Sequence, residues 1–259
     1  MNNKEWKKSK TIYWSDELND DFDSFGLNRP PVPKDYRYER RLPFLSSLLY
    51  YGLATPLLGT YCFFHGVKVI NRGALKALKN TGYFIYANHV AVSDVFKYAS
   101  YAVRGKRVNI IGYSDTLSMK FVGNIAKAIG YLPIPDDFAN MKKFKKAIES
   151  LIDKKEVVLI FPEAHIWPYY TKIRQFKDGS FIYPSELNKP VVPAVTIWRG
   201  KKGRKPKQTI VFGNPIYPNP ELSVMENKKS LHDECLKQMQ EIVSRYHQEE
   251  YIKYIKIEK

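Results

Sequence analysis

Apolar residues along this chain gather in short runs separated by polar turns. Val67–Ile70, Tyr83–Ala87 (YFIYA), Val108–Ile111, Tyr131–Ile134, Glu156–Phe161 (EVVLIF), Val191–Ile197 (VVPAVTI) and Thr209–Phe212 each have the length and the aromatic or β-branched content of a buried strand. Between them the spacing turns helical. Ser93 is an N-cap candidate, and Val95, Phe96, Ala99, Ala102 and Val103 follow it, so a helix is predicted from about Asp94. Further helices are predicted near Met119–Ile129 and, as a basic amphipathic element, over Asp137–Asp153. Leu231, Cys235, Met239, Ile242 and Tyr246 fall on one helical stripe, which reads as core packing. Strands alternating with helices predict an α/β fold, a largely parallel central sheet flanked by helices.

One stretch breaks the alternation. Leu42 to Phe64 (LPFLSSLLYYGLATPLLGTYCFF) holds no charged residue over 23 positions. About 20 apolar residues suffice to span a bilayer as a helix. Gly52, Pro56 and Gly59 argue against a straight helix, so a kinked, re-entrant or hairpin insertion competes with a full span. An ordinary buried helix is the plainer alternative. Arg37, Arg40 and Arg41 before the run and Lys68 and Arg72 after it favour a membrane-associating helical segment at an anionic leaflet, where each basic residue adds about 1 kcal/mol. Tyr50, Tyr51 and Tyr61 are candidates for the interface. The expected organisation is an arm over residues 1–41, an apolar segment over 42–65 and a catalytic domain over 66–259. The arm carries an acidic patch (SDELNDDFD) and then Pro30, Pro31 and Pro33, which discourage helix.

Charge sharpens the picture. Among 259 residues, 42 are basic and 26 acidic, a net charge of +16, which points to an anionic partner such as a membrane surface, a phosphorylated ligand or nucleic acid. Nucleic acid is the weakest of these, because no RRM, KH or helix-turn-helix pattern is present and the lysines are spread along the chain. Two cysteines without a CxxC exclude a disulfide framework and a cysteine zinc site, and fit a reducing cytosol. The N-terminal residues lack the apolar core of a signal peptide.

The chemistry-bearing residues are few. GxSxG, Walker A, GxGxxG and HExxH motifs are absent, and the five histidines show no metal-ligand spacing. His89 follows the strand Tyr83–Ala87, and Glu163 follows the strand Glu156–Phe161, where Pro162 ends the ladder. Parallel sheets bind ligands beyond the carboxyl ends of their strands. His89 and Asp94 stand five positions apart, so a helix would place them about 140° apart and a strand would place them on opposite faces. Only a turn brings them together, and a strand-to-helix turn is predicted between them. An imidazole there suits a general base, with a nearby carboxylate fixing its tautomer. No protein nucleophile is evident, so the group deprotonated is a substrate hydroxyl.

NHVAVSDVF followed by FPEAHIWPYY resembles the HxxxxD glycerolipid acyltransferase family, whose best-known members are the lysophosphatidic acid (1-acylglycerol-3-phosphate) acyltransferases. The similarity runs over roughly residues 66–216 and includes SDTLSMKFVGNIAKAIGYLPI (Ser114 to Ile134) and VVPAVTI as the second and fourth blocks. The resemblance implies acyl transfer from acyl-CoA or acyl carrier protein, as co-substrate, to a hydroxyl of a lysophospholipid at the cytoplasmic face of a membrane. No cofactor and no metal are implied. His89 would be the base and Asp94 its orienting partner, with Phe161, Pro162 and Glu163 shaping the acceptor site. The third block departs from the family's FPEGTRS, with Ala164 for glycine, His165 for threonine and Ile166 for arginine. Pro135 and Asp136 occupy the region where the second block ends in arginine. Those arginines are associated with the acceptor's phosphate, and arginine holds phosphate bidentately. Lys172 and Arg174 are candidate replacements, pointing the same way if their stretch is extended, and a solvated basic loop is the equal alternative. Trp167, Tyr169 and Tyr170 are candidate acceptor contacts or interfacial anchors, though packing is the commoner fate of such aromatics. Two other readings stand beside this one: an acyltransferase for a lipid acceptor lacking a phosphate monoester, and a catalytically idle basic membrane-binding module.

Overall fold

The computed structural model describes residues 11–22, 30–40, 42–114, 130–200 and 205–258. The predicted strands are present as β2 (Lys68–Ile70), β3 (Tyr83–Ala87), β4 (Val108–Gly112), β5 (Tyr131–Pro133), β6 (Val157–Ile160), β7 (Val191–Arg199) and β8 (Lys207–Phe212). They form one seven-stranded sheet in the order β2-β8-β7-β3-β6-β4-β5. All neighbours are parallel except β7 and β8. The helix expected near Met119–Ile129 lies outside the described residues.

Successive side chains of a strand face opposite sides, and the core divides accordingly. Phe84 and Tyr86 of β3, with Val158 and Ile160 of β6, pack on one face against two helices, α3 (Phe138–Asp153) and α4 (Val224–Ser244). Leu231, Cys235, Met239 and Ile242 of α4 belong to that cluster, with half-buried Tyr246 beside them. Tyr83, Ile85 and Ala87, with Val157 and Leu159, face the other way. There they meet Cys62 of a helical run α1 (residues 43–64) and Tyr98, Ala99 and Ala102 of α2, which is Asp94–Lys97 continued by the wider turn Tyr98–Ala102. Just ahead of β3 the chain passes so close to the C-terminal end of α3 that a Cβ on Gly82 would stand 2.3 Å from the carbonyl oxygen of Ile152. Glycine is the residue this crossing admits.

α1 is three continuous pieces, Pro43–Ser47, Leu48–Ala54 and Thr55–Phe64, the middle one a π-helix. Gly59 lets it cross α2 closely, since a Cβ there would lie 3.3 Å from the Ser100 carbonyl oxygen. Among the described residues no helix is long and apolar enough to cross a membrane. Most large apolar side chains of α1 are nevertheless exposed, among them Phe44 at 83%, Leu48, Leu53, Leu57, Phe63 and Phe64. Tyr51 and Tyr61 are exposed, but Tyr50 is not at the surface. Its hydroxyl donates to the Ala99 carbonyl (2.9 Å) and accepts from the Val108 N–H (3.0 Å), pinning α1 to the sheet. Two flanking arginines are also tied into the fold. Arg40 grips Glu156 in a bidentate pair, and Arg72 donates to the carbonyls of Ala102 and Tyr101, each at 3.0 Å.

The N-terminal stretch is anchored to the domain at several points of its described part. β1 (Thr11–Trp14) pairs in parallel with β9 (Lys253–Lys256), a second, two-stranded sheet that joins the two ends of the chain. Further on, Val32 is buried, its N–H donates to Asp136 (3.3 Å), and Tyr38 packs edge-on against Phe144 of α3.

Candidate active site

Strand register fixes the height of the site. Tyr86 of β3 pairs with Ile160 of β6, so His89 and Glu163 each stand three residues beyond the last paired rung. The two ends are stitched directly, the His89 N–H donating to Glu163 Oε2 at 3.1 Å. Backbone bonds complete the seam, from Trp167 N–H to the His89 carbonyl (3.1 Å) and from Tyr169 N–H to the Val90 carbonyl (3.0 Å). On the β7 side, Asn88 exchanges two hydrogen bonds with the Thr196 backbone, at 2.7 and 3.2 Å.

The turn that the His-to-Asp spacing requires is present. Asp94 opens α2, and its N–H returns to the Ala91 carbonyl at 3.0 Å. Asp94 Oδ2 accepts the N–H groups of Val90 (3.0 Å) and Ala91 (2.8 Å) and faces His89 Nδ1 at 3.4 Å. The imidazole lies flat on Phe161, ring centroids 4.1 Å apart and planes 17° from parallel. Phe161 therefore acts as the floor of the histidine. Asp94 is almost wholly buried and His89 slightly exposed, so the carboxylate is shielded while the ring keeps some access to solvent.

The structure separates the two residues expected to replace the missing arginines. Lys172 is exposed and Arg174 fully buried. The expectation that they point the same way is not met, because the neighbours of Arg174 draw it inward. Its guanidinium pairs with Glu163 Oε2 (3.2 Å), donates to the carbonyls of His165 and Glu17 (the latter at 3.3 Å), and lies over the Trp167 ring at 4.9 Å. Its N–H donates to Glu163 Oε1 at 3.0 Å. Both oxygens of Glu163 are thereby occupied within the protein. Glu163 and Arg174 form a buried brace under the His89 loop.

In the third block Ala164, at the position of the motif's glycine, takes a left-handed turn with φ 63°. An L-residue in the left-handed region costs about 1–2 kcal/mol, so the turn is imposed by its surroundings. Trp167 and Tyr170 are buried, and half-buried Tyr169 packs against Trp198 with the ring planes tilted by 35°. Trp167 sits between Trp14, Phe22, Tyr170 and Tyr254, its indole N–H donating to the Asp20 carbonyl at 2.7 Å. The acidic part of the N-terminal stretch thus lies along this block. Asp21 Oδ2 is 3.5 Å from His165 Nδ1, and the Glu17 carboxylate accepts the Gln175 N–H at 3.4 Å.

A family model described as Acyltransferase matches residues 64–197, about half of the chain. The chain belongs to the Acyltransferase family. Among solved structures, the 1-acyl-sn-glycerophosphate (LPA) acyltransferase PlsC from Thermotoga maritima is similar to this acyltransferase with a TM-score of 0.57. At 17% identity, over 81% of this chain and 86% of that one, the likeness is one of fold. A search of curated proteins gives no match.

Sequence reasoning missed three groups around this candidate site of the acyltransferase. Gln208 of β8 donates to Asp94 Oδ1 at 3.0 Å, beyond the matched residues. Lys97 is buried beside it, bonded to Ser93 Oγ (2.5 Å) and to Gln208 Oε1. Burial pushes the Lys97 ammonium below its ordinary value, and the Asp94 charge opposes that shift. The third group is Asn88, next to the histidine. The available signal was weak: single polar residues at positions where a buried strand or helix face calls for apolar ones.

Proposed function

We propose that this protein transfers a fatty acyl group from an acyl thioester, acyl-CoA or acyl carrier protein, to a hydroxyl of a lysophospholipid of the lysophosphatidate kind, in phospholipid biosynthesis. The observation that carries the reading is the buried Asp94 carboxylate facing His89 Nδ1 at 3.4 Å, with the ring laid on Phe161. Asp94 accepts a hydrogen bond from Nδ1–H, which keeps the proton on Nδ1 and leaves Nε2 unprotonated. Nε2 takes the proton of the acceptor hydroxyl as that oxygen attacks the thioester carbonyl. When the tetrahedral adduct collapses, the C–S bond breaks and the imidazolium returns the proton to the departing thiolate. Ester and free thiol leave, and the enzyme ends as it began.

The exposed apolar side chains of α1 support attachment to a membrane with the helix lying in the interface, and the net charge of +16 suits an anionic surface on its cytoplasmic side. A second reading of the acceptor has its own support. Arg174 is spent on Glu163, Ile166 stands in the arginine position, and Asp21 approaches His165, so the third block offers a phosphate little positive charge. An acceptor without a phosphate monoester suits that surface better. Detergent-solubilised protein, given palmitoyl-CoA or palmitoyl-acyl carrier protein with lysophosphatidate, other lysophospholipids and monoacylglycerol, separates the readings. Preferred transfer to lysophosphatidate supports the first, transfer only to phosphate-free acceptors supports the second, and transfer to none of them contradicts both.

A further inference from the structure

Asp94 faces two ways, and only one of them is used by the histidine turn. Oδ2 gathers His89 Nδ1 and the N–H groups of Val90 and Ala91, and Oδ1 is held by the side-chain amide of Gln208 at 3.0 Å. Gln208 comes from β8, more than a hundred residues along the chain, and is buried. A glutamine amide can face either way, and what fixes it here is Lys97. An ammonium only donates, so it claims Oε1 and turns the amide NH2 toward the carboxylate, which only accepts. Lys97 is itself held by Ser93 Oγ at 2.5 Å. The lysine thereby sets the amide, the amide sets the carboxylate, and the carboxylate sets the imidazole.

We propose that Gln208 and Lys97 are positioning residues for acyl transfer, a buried lysine–amide relay that orients the Asp94 carboxylate toward His89. The inference rests on the reading of His89 and Asp94 given above. Lys97 is charged inside the protein at a desolvation cost that surface lysines do not bear, and a merely structural core would use an apolar side chain there. The relay lies behind Asp94, away from the ring face of His89, so neither residue is required to touch substrate. Its loss should therefore lower kcat and leave KM unchanged.

The test is made on the full chain in detergent with Gln208→Met, Gln208→Glu and Lys97→Met. Methionine keeps the volume and removes the amide. Glutamate keeps a partner for Lys97 but cannot donate to Asp94, and Lys97→Met frees the amide to turn over. The first readout needs no acceptor: imidazole 15N shifts, assigned to His89 by their loss in His89→Ala, report which ring nitrogen carries the proton. Wild type is expected to hold the proton on Nδ1, and each variant to show a mixture of tautomers. The second readout is palmitoyl transfer to lysophosphatidate or monoacylglycerol, where loss of a hydrogen bond to a charged group lowers kcat about tenfold or more with KM within about twofold. An unchanged tautomer with kcat within twofold of wild type in any folded variant of Gln208 overturns the relay. A His89→Ala protein that keeps full activity overturns the underlying reaction assignment instead, so the two failures are distinguishable.

Discussion

Arg174→Met is the most discriminating single perturbation of the acceptor side. In the structure its guanidinium is fully buried, pairs with Glu163 Oε2 at 3.2 Å and lies over Trp167 at 4.9 Å. Removing it leaves the Glu163 carboxylate buried with only backbone donors, those of His89 (3.1 Å) and Arg174 itself (3.0 Å). Removing one partner of a buried pair costs about 3–5 kcal/mol. For a chain of this size, a shift of roughly 2–4 °C per kcal/mol puts the fall in Tm at about 6–20 °C. Arg174→Met with Glu163→Gln should recover part of that loss, because no unpaired charge then remains. Thermal melts of the three variants give the coupling as a double-mutant cycle. Transfer kinetics supply the second axis: the ratio of KM for lysophosphatidate to KM for monoacylglycerol should not move. A variant that melts like wild type while its KM for lysophosphatidate rises about tenfold would refute the brace and make Arg174 a phosphate ligand.

Asp94→Asn should lower kcat by about 10²–10⁴-fold while the protein still folds, since the amide can accept from Val90 and Ala91 but no longer offsets an imidazolium; equal loss of folded protein and of activity on a melt and an assay would sink that role. Gly82→Ala is expected to cost about 1–3 kcal/mol in denaturant titrations, because its Cβ would collide with the Ile152 carbonyl oxygen at 2.3 Å. The Glu156 carboxyl is held below its ordinary value: burial alone raises it, and Arg40 and Asn109 more than reverse that. A depressed folded-state pKa contributes stability present above the unfolded pKa and lost as pH falls through the folded one. The gap in Tm between wild type and Glu156→Gln should therefore narrow as pH is lowered below about 4.3, and a gap unchanged on acidification would count against the pair.

The sheet was legible because parallel strands buried on both faces read as unbroken apolar runs, as YFIYA and VVLI do. The His89–Asp94 turn was legible too, because neither helix nor strand reconciles that spacing. Other features depend on partners far away in sequence. β1 and β9 are four residues each, and nothing local in TIYW announces a pairing with KYIK near the other end. Arg174 reads as a loop cation until Glu163 is placed beside it, and Tyr50 reads as an interfacial aromatic until its hydroxyl finds Val108. Gln208 carries no motif, because one amide on a strand acquires meaning only when β8 lies against the start of α2.

The central claim is that His89 acts as the base that moves an acyl group from a thioester to a lipid hydroxyl. Its most direct test follows free thiol release and ester formation together, from palmitoyl-CoA and from palmitoyl-acyl carrier protein, with wild type and His89→Ala at equal folded concentration across the acceptor panel. The account predicts one ester formed per thiol released in wild type, and loss of both by about 10²-fold or more in His89→Ala. Ester formation at wild-type rates in the folded variant would contradict it.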